Sequence, residues 1–595
     1  MEQPAAAVRS QAQGELGKTK EPAQPQIQGR AKWTTLEHRG VAFPPEYQPR
    51  GITITIRGEK LMLSRDQEEM VYAWAKKKDT HYVQDPVFQS NFLSDLKKLL
   101  PEKFRNIASM ADLDLSEAYR LADEEKKIKE SEKERIRNLP KEEKKKLSAA
   151  KKAERERLKA TYGKAVVDGV EVDIANWLVE PPGLFMGRGQ HPMRGRWKPR
   201  VKPENVTLNL GENAPVPEGT WQAIVHDRSS TWLATWMEEL TGKRKYVWLH
   251  DSSELRQNSD REKYDKARRL ARHLGRVQKE IINRMKGSDR SKQQDDRKVA
   301  TVSYLIFKLA MRVGDEKDPD EADTVGASTL RVEHIKFPVI DGKQYIEFNF
   351  LGKDSVPWQK RLEVNTDDTR ALYDNLKFFM KGKKEDEQIF DGINSRKVNV
   401  FLQSIDPKNV PGLTAKVFRT CIATKVVRDS LANPPVKVDK TSSEAQKVYV
   451  ARMANLRAAI TCNHKKGIDP RNPASKKALE KFDESIAKKK QAIESIKADI
   501  AAKKWKTDLQ RQRLLDRLEK IEVQLKLQVE TRDYSLGTSL RNYIDPRVMK
   551  AWLNYVGLDW TKIYTATLQR KFKWVENYSD TDFKGFYPDP DSQPF

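Results

Sequence analysis

The sequence predicts a multidomain protein of the α+β class, mainly α-helical with β elements. The chain has 595 residues, which is too many for one hydrophobic core. Helical periodicity dominates its central and C-terminal parts, whereas turns and short alternating segments occupy residues 164–250. Residues 475–530 carry a heptad pattern on two successive stretches, which is typical of a helical hairpin.

Composition narrows the class of partner. The formal net charge is +26, from 112 Lys and Arg against 86 Asp and Glu, so we expect a polyanion bound through salt-sensitive phosphate contacts. No stretch approaches about 18 consecutive apolar residues, which favours nucleic acid over a membrane. The two cysteines, Cys421 and Cys462, are too few for a disulfide framework or a cysteine-based zinc site. These features predict an intracellular nucleic-acid-binding protein.

Five parts are expected along the chain. Residues 1–32 are rich in Ala, Gln, Pro and Gly and form an expected disordered tail. Residues 33–253 form a mixed α/β region that includes charged helices at about 112–163, and residues 254–470 form a mainly helical domain with a β-rich insert. The hairpin arm occupies residues 471–532, and a last unit occupies residues 533–595.

The arm prediction depends on apolar spacing. Apolar residues recur at seven-residue intervals on the first stretch and again on the return stretch, and the basic segment 503–506 marks the tip. Such a two-helix arm buries little surface, so we expect it to protrude and move.

Two polar residues stand out in the domain before the arm. Arg312 falls on the apolar face of a helix predicted for residues 299–313, where an unpaired charge is costly. Lys353 lies at the tip of a predicted hairpin, between strands at residues 345–351 and 356–364. An arginine paired with a carboxylate and an exposed turn lysine remain open as structural explanations.

Two further residues follow in the same domain. Arg419 lies beside the apolar face of a helix that Thr414 is expected to cap. His464 follows a helix predicted for residues 444–462, where a capping role at the negative end of the helix dipole is the ordinary explanation. The sequence shows no His, Cys and carboxylate cluster at metal-ligand spacing and no Ser-His-Asp motif.

These segments resemble, in the right order, the eukaryotic nuclear DNA topoisomerases of type IB. The resemblance extends from about residue 33 to about residue 575. It is carried by residues 180–192, 309–317, 322–326, 330–334, 350–355, 413–420, 462–464 and 536–547.

The resemblance implies a catalytic role for five residues. Tyr543 would attack a backbone phosphorus, leaving a 3′-phosphotyrosyl bond, and Lys353 would protonate the departing 5′-oxygen. Arg312, Arg419 and His464 would bind the non-bridging oxygens of the transition state. It also implies a bilobed clamp around DNA, with a tyrosine-recombinase-like catalytic domain and a coiled-coil linker that we expect to slow strand rotation. Neither a cofactor nor a metal is expected.

The resemblance also implies contacts outside the chemistry. Candidate DNA-binding residues are Arg188, Lys198, Lys317, Asp354, Thr538 and Asn542. The implied partner is double-stranded DNA, gripped by a monomer, and the implied location is the nucleus, including nucleolus and chromatin. Planar inhibitors of the camptothecin class would bind at the cleaved site.

Several positions depart from the family pattern. Met186 stands where relatives commonly carry a basic residue, so one phosphate contact is expected to be lost. Asp315 replaces an Asn, Ala327 and Ser328 replace a Cys pair, and the basic stretch 193–200 is rearranged. None of these changes falls on the five catalytic positions.

Two alternatives remain open at this stage. A tyrosine recombinase would share the Arg, Lys, Arg, His and Tyr chemistry but would assemble on paired sites; the large N-terminal region and the long arm argue against it. A non-catalytic architectural DNA-binding protein would account for the charge alone.

Overall fold

The structure, a computed structural model, describes residues 31–187, 189–287, 294–315, 325–467 and 473–587. Helices outweigh strands, and buried side chains form three hydrophobic clusters in these residues. The predicted mixed, mainly α-helical composition is therefore confirmed. Within the described ranges, no helix is both long and apolar enough to cross a membrane.

Short strands and four α-helices make up the described residues from 31 to 250. The strands are β1 (Leu36–His38), β2 (Thr53–Ile56), β3 (Glu59–Met62), β4 (Leu113–Asp114), β5 (Lys164–Val167), β6 (Val170–Asp173), β7 (Gly183–Leu184), β8 (Trp197–Lys198), β9 (Val206–Asn209), β10 (Ala223–Val225), β11 (Trp232–Glu238) and β12 (Lys243–Trp248). The helices are α1 (Arg65–Ala75), α2 (Pro86–Leu99), α3 (Ser116–Asn138) and α4 (Lys141–Tyr162).

Two separate cores stabilise this first part. One lies where α1, α2 and the start of α3 pack on the sheet β3-β2-β4, around Trp74 and Phe92. The other lies between the sheets β1-β5-β6 and β10-β9-β11-β12. Beyond Ala122, α3 buries no further residue, so most of this charged helix lies open to solvent.

The central part is a helical assembly with one β insert. Its helices are α5 (Glu254–Arg272), α6 (Leu274–Lys286), α7 (Gln294–Leu309), α8 (Asp367–Met380), α9 (Ser395–Ile405), α10 (Ala415–Ala432) and α11 (Glu444–Thr461). Its strands are β13 (Ile335–Lys336), β14 (Val339–Ile340), β15 (Lys343–Gly352) and β16 (Val356–Glu363). The predicted hairpin is confirmed: β15 and β16 pair antiparallel from Tyr345↔Glu363 to Gly352↔Val356.

The predicted helix 299–313 is wrong at its C-terminal end. Helix α7 stops at Leu309, and Ala310 takes the left-handed backbone conformation, with φ of 53°. Arg312 therefore lies on an irregular segment after the helix rather than on the helix face. A residue in the left-handed region cannot continue a right-handed helix, and the periodicity of the apolar residues carries no sign of this break.

The arm consists of α12 (Pro473–Ala501) and α13 (Asp508–Glu530). Thr507 caps α13 by accepting a hydrogen bond from the backbone amide of Gln510, so the turn falls at the predicted tip. The base of α13 packs on α11, where the Tyr449 hydroxyl donates to Glu530 at 3.0 Å.

The last unit comprises α14 (Leu536–Asn542), α15 (Pro546–Val556) and α16 (Ala566–Lys571). Asp545 caps α15 with Pro546 at the first helical position, and Gly557 ends it in the left-handed region. These helices share one core with the central helices, so Tyr543 is held against α10 and α11.

Candidate active site

Tyr543 lies directly after α14, and its side chain is 8% exposed. Its hydroxyl accepts a hydrogen bond from the Arg312 Nη1, at 3.2 Å. The backbone around it is fixed from α10. The Thr424 hydroxyl shares its proton between the Thr420 carbonyl, at 2.8 Å, and the Tyr543 carbonyl, at 3.2 Å, and it accepts from the Asp545 amide at 3.0 Å. Sequence reasoning missed Thr424, because one threonine within a helix carries no local signal.

Hydrogen bonds hold the segment that carries Arg312 in place. The Arg312 carbonyl accepts from the Ala327 amide at 2.8 Å, and the Ser328 hydroxyl donates to the carbonyl of Gly314 at 2.7 Å. Gly314 is required here, since an added Cβ would lie 2.8 Å from the Cα of Gly326. The departure at Ser328 thus supplies a hydroxyl that anchors the segment carrying Arg312.

Arg419 lies on α10 and is 4% exposed. Its Nη2 donates to the Cys462 carbonyl at 3.1 Å, and its guanidinium carbon lies 5.0 Å from the centre of the Tyr543 ring. Its Nε is buried and has no hydrogen-bond partner among the described residues. A buried N–H without an acceptor is costly, and an anion bound next to Tyr543 would relieve that cost if it supplied the acceptor.

His464 follows α11 after Asn463, whose φ is 53°. The His464 Nδ1 and the Ser539 Oγ lie 2.6 Å apart in a hydrogen bond, and the Nε2 lies 3.5 Å from the Arg419 Nη2. Burial, with the charges of Arg419 and Arg312, lowers the pKa of His464 to about 3. The imidazole is therefore neutral at neutral pH, and the positive-cap explanation does not apply to it.

The two arginines also act on Tyr543. Burial raises the pKa of its hydroxyl, but the positive charges of Arg419 and Arg312 outweigh burial and leave the pKa below its ordinary value. The site therefore stabilises the phenolate, which is the form that can attack an electrophile.

Lys353 lies at the tip of the β15–β16 hairpin, in the turn Lys353–Ser355, and is exposed. The hairpin brings it to a small cleft that Arg312 and Arg419 also line. The structure thus brings the five predicted residues into one neighbourhood, with Lys353 at its open edge.

The predicted DNA-contacting residues are more scattered. Arg188 and Lys317 lie outside the described residues, as does the side chain of Asp354. Lys198 forms an ion pair with Glu180 and has no described contact with the site around Tyr543.

Thr538 and Asn542 lie on α14, five residues and one residue before Tyr543. The Thr538 hydroxyl hydrogen-bonds the Ser535 hydroxyl at 2.9 Å, and its carbonyl accepts from the Asn542 Nδ2 at 3.1 Å. Asn542 also borders a cavity of about 440 Å³ whose lining has six basic and three acidic side chains. Sequence reasoning missed this cavity because its lining comes from α5, α10, α14 and α16. The lining side chains that carry charge are Asp251, Arg256, Asp260, Glu262, Lys263, Lys266, Lys416, Arg541 and Lys571.

Across the described ranges, no group of three or more His, Cys, Asp or Glu side chains could hold a metal ion. The side chains that contact Tyr543 are two cationic arginines, Arg312 and Arg419, and the neutral imidazole of His464. The arrangement is suited to binding an oxyanion, with its oxygens placed tetrahedrally or trigonally around the central atom, beside a phenolic nucleophile.

Comparison with known proteins places these features in a family. Three family models match successive segments: "Eukaryotic DNA topoisomerase I, DNA binding fragment" at residues 31–249, "Eukaryotic DNA topoisomerase I, catalytic core" at residues 252–500, and "C-terminal topoisomerase domain" at residues 515–585.

Full-length relatives agree with these matches. DNA topoisomerase 1 alpha of Arabidopsis thaliana is 37% identical over 92% of this chain and 59% of its own length. DNA topoisomerase 1 of Drosophila melanogaster is 34% identical over 93% of this chain, which spans 55% of that relative. DNA topoisomerase 1 of Homo sapiens is 34% identical over 93% of this chain and 72% of its own length. The chain therefore belongs to the eukaryotic DNA topoisomerase I family.

Proposed function

We propose that this chain is a type IB DNA topoisomerase that relaxes supercoiled duplex DNA by transient cleavage of one strand. The observation that carries the proposal is the Tyr543 hydroxyl, buried beside two arginines that lower its pKa. The chain spans little more than half the length of the first two relatives named above, so its activity is argued from its own residues.

In the proposed cleavage step, the Tyr543 oxygen bonds to the scissile phosphorus and the bond from phosphorus to the 5′-oxygen breaks. The phenolic proton passes to solvent, and Lys353 gives a proton to the departing 5′-oxygen. Religation reverses these transfers. The phosphodiester energy stays in the phosphotyrosyl bond, so the cycle needs neither ATP nor a metal.

Three side chains would stabilise the pentacoordinate transition state. Arg312 already contacts the attacking oxygen, and the partnerless Nε of Arg419 is suited to a non-bridging oxygen. With a phosphate bound, the neutral His464 would carry its proton on Nε2 and donate it to an oxygen, while the Ser539 hydroxyl donates to Nδ1. The phosphate oxygen would take the place of the 3.5 Å contact between Nε2 and the Arg419 Nη2. Because such donors are fixed before reaction, they stabilise developing charge without reorganising.

The DNA would lie in a bilobed clamp. We assign one lobe to residues 33–253, and the other, with a tyrosine-recombinase-like fold, to residues 254–470 together with 533–595. Residues 471–532 form the coiled-coil linker. The basic cavity next to Asn542 supports a phosphate path beside the site. Lys198, Lys317, Arg188, Asp354 and Thr538 are assigned to the same DNA surface.

The same proposal extends to location and inhibition. A monomeric enzyme acting on chromosomal DNA would work in the nucleus, on nucleolar DNA and other chromatin. Camptothecin-class compounds would stack at the nick beside Asn542. A dose-dependent increase in covalently trapped nicked plasmid is the expected result, and no increase would reject the inhibitor site.

One assay tests the function directly. Supercoiled plasmid is incubated with the protein and EDTA, without ATP, and topoisomers are resolved on a gel. A relaxation ladder on any plasmid is expected, with Tyr543→Phe inactive but still binding DNA. Retardation without relaxation would indicate an architectural binder, and products formed only with paired sites would indicate a recombinase. Relaxation by Tyr543→Phe would refute the mechanism.

A further inference from the structure

We propose that Lys360, on β16, is a positioning residue that holds three separate parts of the active site in register. The inference rests on the proposed function, because it concerns the same reaction. The Lys360 Nζ donates to the Leu309 carbonyl at 3.1 Å and to the Thr461 carbonyl at 3.3 Å.

The two carbonyls occupy equivalent places in the fold. Leu309 is the last residue of α7 and Thr461 is the last residue of α11. The reacting side chains Arg312 and His464 each follow three residues later. Carbonyls in the last turn of a helix lack intrahelical partners and form the negative end of its dipole, so an ammonium between them satisfies both.

The third part is the hairpin that carries Lys353. Strand β16 pairs with β15 without a break from Gly352↔Val356 to Phe348↔Lys360 and beyond. The position of Lys360 along this ladder fixes where the hairpin tip lies relative to the two helix ends. A second contact has the same effect, since the Asn463 Nδ2 donates to the Pro357 carbonyl at 3.2 Å.

The environment of Lys360 is unusual for a lysine. The side chain is half-buried, and its ammonium lies 5.4 Å from the centre of the Trp358 ring. Its hydrogen bonds within the described residues go to carbonyls rather than to a carboxylate. Burial lowers its pKa, and nearby Arg419 adds to that effect. A cation kept here despite these costs is explained by the two helix ends that it joins, since an ammonium has three donors and no acceptor.

The experiment compares three variants of the full chain. Lys360→Met removes the donors and keeps the apolar stem, and Lys360→Arg keeps the charge and several donors. Lys447→Met is the matched control. Lys447 is buried and, like Lys360, its Nζ donates to a backbone carbonyl, in this case that of Lys440 at 2.8 Å. This contact lies at the opposite end of α11 from Thr461. Each protein is tested for DNA affinity, thermal unfolding and single-turnover cleavage of a duplex from which the short cleaved piece diffuses away.

Lys360→Met is expected to cleave about 100-fold more slowly, the size of effect that a displacement of about 1 Å produces in an active site. The final yield of covalent complex and the DNA affinity should stay unchanged, and Lys360→Arg should recover most of the rate. Lys447→Met should cleave as the unmodified chain does. A loss of rate no larger than that of the control, or a yield that falls in step with thermal stability, would overturn the positioning role.

A second measurement does not depend on activity. Amide hydrogen exchange at residues 310–315 and 462–465 should become faster in Lys360→Met and stay unchanged in Lys447→Met. Unchanged exchange in both variants would refute the inference. If the unmodified chain forms no covalent complex while exchange responds as expected, the proposed function fails and the structural role of Lys360 remains.

Discussion

At the scale of single residues, Tyr543 shows two opposed effects on one hydroxyl. Burial alone would keep it protonated, whereas Arg419 and Arg312 favour the phenolate and prevail. The Cys462 carbonyl, which accepts from Arg419, is a neutral group and compensates the positive charge of that guanidinium only partly. A DNA phosphate would supply the missing negative charge, so substrate binding and nucleophile activation draw on the same pair of arginines.

Ser539 gives a prediction for the histidine. Its hydroxyl holds the Nδ1 of His464, so Ser539→Ala should leave the imidazole free to rotate away from the phosphate. The loss of a hydrogen bond of this kind corresponds to about a tenfold slower cleavage rate. Single-turnover cleavage measures this, with Ser535→Ala as the matched control, because that hydroxyl bonds only Thr538 among the described contacts. Equal rates in the two variants would contradict the role given to Ser539.

Lys353 gives a prediction about the leaving group. If it acts as the general acid, Lys353→Ala should be slowed by about 10²–10⁴-fold on ordinary DNA. Replacing the bridging 5′-oxygen by sulfur should restore most of this rate, because a thiolate leaves without being protonated. Arg312→Ala should stay slow on both substrates, since its contact is to the attacking oxygen. Absence of rescue for the lysine variant would assign Lys353 to another role.

At the scale of elements, the arm is attached to the catalytic helices at its base. Contacts from Glu519 and Glu530 of α13 reach Gln446 and Tyr449 on α11, the helix that precedes His464. The arm therefore has a fixed root and a far end without described contacts to other elements, a geometry suited to obstructing rotation of DNA without taking part in the chemistry.

Deletion of residues 475–530, with a short flexible connection, tests the arm. Removing the obstruction should increase the number of supercoils released per cleavage event, while the single-turnover cleavage rate stays the same. Supercoil release from single tethered DNA molecules under torque measures the first quantity. Tyr449→Phe, which loses the bonds of this hydroxyl to Glu530 and Lys526, is the control for a disturbed root. Unchanged release per event in the deletion variant would reject the brake.

Periodic apolar patterns predicted the elements well, but their ends and their partners less well. The hairpin β15–β16, the helix after Thr414 and the two arm helices follow from side-chain spacing, which reports the face that a regular element buries. The stop at Leu309 does not, because it depends on one left-handed residue, Ala310. Thr424 and Lys360 were missed since their partners lie far away in the chain, and spacing says nothing about distant contacts.

The family departures have local explanations in the structure. Met186 is partly buried against the core around Trp74, so an apolar contact stands where a basic side chain is common. The Asp315 carboxylate accepts from the Ser395 amide at the start of α9, at 2.9 Å. An acidic group is favourable at that end of a helix.

At the scale of the whole molecule, two buried histidines in different parts make stability sensitive to acid. His38 donates from Nε2 to the Asn209 carbonyl and accepts at Nδ1 from the Gly40 amide, which fixes its neutral form. Burial lowers the pKa of His38 to about 4, and burial with two arginines lowers that of His464 to about 3. Below pH 6.5 the unfolded chain binds protons that the folded chain does not, so stability falls as pH falls.

His38 gives a prediction for the N-terminal sheets. By pH 4 the protonation of His38 in the unfolded state should cost about 3 kcal/mol of stability. The midpoint of the first thermal unfolding transition, followed from pH 7 to pH 4, should fall less steeply in His38→Gln than in the unmodified chain. His81→Gln, at a partly exposed histidine, should keep the original slope. Parallel slopes in all three proteins would contradict the assignment to His38.

The grip of Thr424 on the backbone either side of Ile544 has a mechanical consequence. In the proposed intermediate, one broken DNA end is bonded to the Tyr543 side chain, and rotation of the DNA duplex would transmit torque to that bond. Thr424 passes this load into α10, the helix that also carries Arg419. In this proposal, Tyr543 and Arg419 would be displaced together under strain. The 5′-end that returns after rotation would then meet an active site whose internal spacing has been preserved.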